Sequence, residues 1–222
     1  MNDALINING GDVQTLEIIV MLTLISLIPA LLIMTTSFTR IIIVLSILRN
    51  AMGLQQTPPN MVLISLALFL SLFIMGPVID DINENAYQPY RDGQLTQVEA
   101  VLAAEAPLKE FMLKQTKTDS LNMFLEFADI APPDDTESLM DLPLRVVIAS
   151  FMTSELSRAF VMGFMIYIPF LVIDIIVAST LMSMGMIMLP PVMISLPFKV
   201  LLFVVINGWD LFFMTLVKSF RF

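Results

Sequence analysis

Cysteine and histidine are both missing from this chain of 222 residues. Without cysteine there is no disulfide, no thiolate nucleophile and no cysteine-ligated metal. Without histidine the commonest general base and the commonest metal ligand are gone. Charge is scarce as well: 14% of residues are charged against 57% apolar, sparser than in an ordinary soluble domain. A mean hydropathy of +0.86 then places the chain in or against a membrane. Neither a P-loop nor a dinucleotide fingerprint occurs, and a net charge of −9 argues against a nucleic-acid ligand. No catalytic constellation is recognisable, so the expectation is a protein that is not an enzyme and uses no cofactor and no metal.

What is present is apolar sequence in long runs. Residues 1–15 are polar, with Gly10–Gly11 as a breaker, and lack the basic start and apolar core of a signal peptide; the chain reads as mature or as needing no signal. Residues 16–48 are apolar almost throughout. As one helix they would be ~50 Å long, against a bilayer core of ~30 Å. Pro29, the run Thr35–Thr36–Ser37 and Arg40 lie inside, so a kinked or broken helix is expected, with part of it packed on protein. A turn follows at residues 49–60, then a helix of span length at 61–79.

Residues 80–141 differ in kind. They hold 14 acids and four bases (Arg91, Lys109, Lys114, Lys117), a net of −10, which leaves +1 for the rest of the chain. This water-facing insert contains an amphipathic helix at 96–118, with Val98, Val101, Leu102, Leu108, Phe111 and Met112 near helical spacing. Helix resumes at 144–182, amphipathic and then apolar, and a last long helix is read at 198–217 with Lys218 and Arg221 at its C-terminal end. The fold class is therefore all-α: two apolar helical hairpins (1–79 and 143–222) around an acidic helical insert (80–142), with four hydrophobic segments. The positive-inside bias puts Arg40 and Arg49 on the cytoplasmic side and the insert outside.

The stretch joining the last two runs is unusual. Met182, Met184, Met186 and Met188 recur at every second position, Gly185 loosens the backbone, and Pro190–Pro191 cannot donate hydrogen bonds. Residues 182–199 therefore read as a connecting loop, yet no charge occurs between Asp174 and Lys199, whereas an ordinary connector is polar. Methionine is flexible and polarisable, so the loop is either a buried hairpin tip or a deformable lining, several copies of which could close a hole.

Three stretches resemble the FliP family, the flagellar members of the FliP/SctR export-gate proteins of type III secretion: TSFTRIIIVLSILRNAMGLQQTPPN (36–60), SFMTSELSRAFVMGFMIYIPFLVIDIIVAS (150–179) and GMIMLPPVMISLPFK (185–199), with NGWDL (207–211) behind. AYQPY (86–90) and EFMLKQT (110–116) are similar too. Departures are small. Ile187 replaces the middle of the family's methionine triplet, Val161 stands where a polar residue is usual, and members commonly carry a cleaved signal sequence. The resemblance implies the core of a flagellar export gate in the bacterial inner membrane, within the basal body. Several copies, pentamer-like, would assemble helically with FliQ and FliR, serve alongside FlhA and FlhB, and conduct unfolded flagellar subunits. It also implies that the assembled gate sits largely above the membrane plane.

Three sets of residues are then candidates. Met184, Gly185, Met186, Ile187, Met188, Pro190 and Pro191 form a pore-closing loop. Glu155 and Lys199, isolated charges on opposite arms of the last hairpin, form a structural ion pair within or between subunits. Arg40 is a buried charge facing protein or water, not lipid. Two other classes stay open: a small-solute or proton transporter, for which the isolated charges Glu155, Arg158, Asp174, Lys199 and Asp210 speak, and a purely structural membrane scaffold.

Overall fold

A computed structural model describes residues 5–8, 11–133, 135, 138–186 and 188–221. Strands β1 (Leu5–Ile8) and β2 (Gly11–Gln14) pair antiparallel, Ile8 opposite Gly11; everything after them is helix and connection. The first apolar run breaks as its composition requires. Helix α1 (Thr15–Thr35) ends, and α2 (Phe38–Ala51) begins on the other side of Thr36–Ser37. The hydroxyls of Thr35, Thr36 and Thr39 donate to the carbonyls of Leu31, Leu32 and Ile33, capturing acceptors that a continuing helix would use. Apolar side chains of α1 such as Ile19, Leu22, Ile25, Ile28 and Leu32 are exposed, while α2 is buried at Phe38, Ile41, Val44, Leu45, Leu48 and Ala51, the three-and-four spacing of a core-facing helix.

Helix α3 (Asn60–Ile74) starts after Pro59 and does not run to residue 79 as one span. It bends by 57° into α4 (Gly76–Ile82), a π-helical turn at Asn83–Tyr87 and α5 (Gln88–Arg91). The amphipathic helix expected over 96–118 is α6 (Gln97–Gln115), and a further helix, α7 (Thr118–Phe127), follows it. Thr96 caps α6 in a capping box. The Thr96 backbone amide and hydroxyl both donate to Glu99 Oε2 at 2.8 Å, and the Glu99 amide donates to Thr96 Oγ1 at 3.4 Å. These bonds, the backbone one foremost, hold the Glu99 carboxyl below the usual carboxylate range. The apolar positions split: Phe111 and Met112 are core, while Val98, Val101 and Leu102 stay exposed.

Helix α8 (Leu144–Ser183) is one unbroken element of 40 residues, about 60 Å at ~1.5 Å per residue. Its first half is buried at Val147, Ser150, Phe151, Ser154, Glu155 and Ala159, against α2, α6 and α7; most of its second half is exposed and apolar. The last run also differs from its reading. Pro191 is the first residue of α9 (Pro191–Val205), a position where a missing N–H costs nothing, so residues 191–199 are helix and not loop. Asn207, in the left-handed region at φ 49°, turns the chain by 68° into α10 (Gly208–Lys218). By length and composition α1 and α8 could each cross a membrane, and the two bent pairs raise the number to four. The three regions share one core, which joins Ile41 and Leu63, Phe111 and Leu125, and Phe151 and Leu216.

Helices α2 and α8 pack tightly at Gly163, where an added Cβ would stand 2.3 Å from Ile47 Cδ1. Gly163→Ala should therefore destabilise the chain by about 1–3 kcal/mol through overpacking, and Ile47→Ala should recover part of that in thermal unfolding in detergent; an unchanged melting point for Gly163→Ala would contradict the packing. The Glu99 cap gives a pH dependence. Because its folded pKa is depressed, its contribution is full at neutral pH and is lost as pH falls through the folded value, which lies below that of a free glutamate. The protection factor of the first turn of α6 should fall with acidification in the native chain more than in Glu99→Gln.

Candidate functional site

Arg40 enters the core as the third residue of α2, and it and Glu155 are each 0% exposed. Its Nε donates to Glu155 Oε2 at 2.8 Å and its Nη2 to Glu155 Oε1, a bidentate pair. Its Nη1 donates to the carbonyl and hydroxyl oxygens of Ser219, both at 2.9 Å. The Phe220 ring lies 3.8 Å from the guanidinium carbon, a cation–π contact made without water. Gln115, also fully buried, grips the next residue: its Nε2 donates to the Arg221 carbonyl at 2.6 Å and its Oε1 accepts from the Arg221 amide at 3.2 Å. Residues 219–221 are thus tied directly to α2 and α6, and through Arg40 to Glu155 of α8.

A second polar knot lies farther along α8. Lys199 Nζ donates to Asp174 Oδ2 at 2.6 Å and to the Ala51 carbonyl at 3.0 Å, and Ser195 Oγ donates to Asp174 Oδ1 at 2.6 Å. Ser195 and Lys199 are one turn apart on α9, and Ala51 ends α2, where a helix presents free carbonyls and favours a cation. The knot fixes both arms of the α8–α9 hairpin to α2.

These partners correct one expectation. Within the chain Glu155 and Lys199 do not pair with each other: Glu155 holds Arg40 and Lys199 holds Asp174. The reason is length. Asp174 is 19 positions beyond Glu155 on the same helix, about 28 Å away at ~1.5 Å per residue, so one lysine cannot serve both. Arg40 does face protein, through Glu155, Ser219 and Phe220. Asp174 had been singled out only as an isolated charge, and Gln115, Ser195 and Ser219 not at all. The i, i+4 spacing of Ser195 and Lys199 was the one signal that pointed to a shared acceptor.

The methionine loop is the tip of that hairpin. Met182 belongs to the last turn of α8, which closes in a Schellman motif: the Gly185 amide donates to Met182 O and the Met186 amide to Leu181 O, both at 3.0 Å. Gly185 takes φ 73°, which a side chain would resist. Met184, Met186 and Met188 are exposed, Met188 by 97%. Pro190 and Pro191 start α9. Ile187 lies outside the described residues.

Removing one partner of the buried pair should cost about 3–5 kcal/mol, since it strands the other charge without water. Arg40→Leu and Glu155→Leu should each show that loss in unfolding in detergent, while the double variant should lose less than the sum. Strict additivity would mean the two charges are not coupled.

A sequence profile of the FliP family matches residues 21–216. The flagellar biosynthetic protein FliP of Bacillus subtilis (strain 168) is 52% identical over 207 residues, covering 93% of this chain and 92% of that one. That of Aquifex aeolicus (strain VF5) is 50% identical over 212 residues, covering 96% and 88%, and that of Pectobacterium carotovorum subsp. carotovorum 47% over 214, covering 96% and 82%. The profile spans both polar knots and the methionine loop between them, and with half the residues identical over nearly the whole length of both chains, this chain belongs to the FliP family.

Proposed function

We propose that the chain is a pore subunit of the flagellar type III export gate in the bacterial inner membrane, with the acidic insert on the extracytoplasmic side. Several copies, pentamer-like, assemble with FliQ and FliR, act with FlhA and FlhB, and pass unfolded flagellar subunits. The observation that carries the reading is the α8–α9 tip. It is an apolar loop, exposed in the single chain, on a hairpin anchored to α2 by Asp174, Ser195 and Lys199. Exposed apolar surface of that kind needs cover from other chains or lipid. Flexible thioethers from several subunits can fill a constriction and yield as a peptide enters, and a narrow apolar ring dewets and conducts ions poorly. The FliP relatives, named as flagellar biosynthetic proteins, supply the context.

The transporter reading needs charges that are free to bind or relay an ion. Glu155 and Arg40, and Asp174 and Lys199, are instead engaged with each other, and Asp210 sits exposed in the first turn of α10, where a helix dipole favours an acid. We therefore assign the two pairs to structure, Asp174–Lys199 holding the hairpin and Arg40–Glu155 the C-terminal segment.

Replacing Met186 and Met188 with alanine should raise small-ion leak through the assembled gate while flagellar protein secretion persists. The two quantities are read separately, by ion flux and by secreted flagellin. A gate that assembles normally and stays sealed would return these methionines to ordinary packing.

A further inference from the structure

We propose that this chain binds a phospholipid with an anionic headgroup, seated between the C-terminal segment and α8. Two adjoining cavities of opposite character make the site. The first, about 500 Å³, is lined by Arg40, Lys117, Arg158 and Arg221 with Val161, Met162 and Ser219. It has no acidic residue in its lining. Arg40 is committed to Glu155, but Lys117, Arg158 and Arg221 form no salt bridge among the described residues. Lys117 Nζ donates to the Ser157 hydroxyl at 2.7 Å, Arg158 Nη1 reaches Gln115 Oε1 only at 3.5 Å, and Arg221 is held through its backbone. Three cations converge here in a chain whose net charge is −9, and arginine forks suit phosphate oxygens.

The second cavity, about 210 Å³, is almost wholly apolar and includes Met162, Ile166, Pro169, Phe170, Phe212 and Thr215 in its lining. Met162 is common to both, so a cationic recess opens directly beside an apolar groove. A free anion would leave the groove unused, and a plain hydrocarbon would leave the cations unpaired; a lipid satisfies both. The level is right as well. On α8 the exposed apolar side chains begin at Leu156 and Phe160 and continue along the helix through Val161, Phe164 and Met165, while the insert helices α6 and α7 cover its other end. The cations therefore lie at the border between apolar and polar surface, the level at which long basic side chains meet phosphate headgroups. The inference rests on the membrane location of the chain and not on the pore reading.

The test is native mass spectrometry of the full chain in neutral detergent, titrated in parallel with phosphatidylglycerol, phosphatidylcholine and inorganic phosphate. We expect phosphatidylglycerol to be retained and phosphatidylcholine not. Arg158→Gln with Arg221→Gln should weaken retention about tenfold, and the milder Lys117→Gln about threefold, with Lys114→Gln on the outer face of α6 unchanged. Thr215→Trp, which blocks the groove and leaves every charge, should weaken the lipid too. Equal retention of the two lipids, retention untouched by all of these variants, or displacement of phosphatidylglycerol by inorganic phosphate at equal concentration would overturn the proposal. Insensitivity to Thr215→Trp alone would reduce the site to an anion site and overturn it equally.

Discussion

A guanidinium cannot be taken out of water cheaply, and everything around Arg40 is arranged to meet that cost. Desolvating an ion forfeits several kcal/mol unless partners replace the lost water. Here a carboxylate, a carbonyl, a hydroxyl and an aromatic face do so. They come from α8 and from the segment beyond α10, so the requirement of one side chain on α2 brings three distant parts of the sequence to one point. Gln115 extends the same tie to the insert. An apolar replacement of equal volume would pack as tightly, but it would not specify which segment meets which. In this chain the buried charge acts through register and identity of contact, with net stability secondary.

The second knot applies the same logic to the α8–α9 hairpin. Asp174 and Lys199 lie behind the tip of a hairpin whose outer end is free of protein contacts at Met188. On the proposed pore reading, a tip that deforms has to be mounted on something that does not. Anchoring both arms to the end of α2 confines motion to the short connection between the Schellman turn at Gly185 and the helix start at Pro191. The upper and lower knots share α2 and α8, so hairpin and insert belong to one mechanical body.

Much of this was legible in the sequence, and the limits have physical causes. The break near Thr36, the acidic insert, the helix carrying Phe111 and Met112, and the burial of Arg40 followed from the cost of a long apolar run, from charge arithmetic and from periodicity. The pairing of Glu155 with Lys199 did not hold within the chain. Two acids and two bases in apolar runs allow two pairings, and only the straight length of α8 between Glu155 and Asp174 decides. The bends at Met75 and Asn207 each had a local mark, Gly76–Pro77 with the proline in the first turn of α4 and Asn207 with its positive φ, but the apolar pattern runs through both. The start of α9 was hidden by Pro190–Pro191, which reads as a loop but serves equally as a helix beginning.

The central claim is that the geometry of the Arg40 fork, beyond its charge, fastens the C-terminal segment. Arg40→Lys keeps the charge and the volume close but offers no planar fork to reach Glu155 and Ser219 together. Hydrogen–deuterium exchange on the purified chain reads the outcome directly. The account predicts faster exchange in Arg40→Lys at residues 216–221, with the peptide covering the α6 turn at Gln115 loosening beside it. Exchange there at the rate of the unaltered chain, with the variant folded, would contradict it.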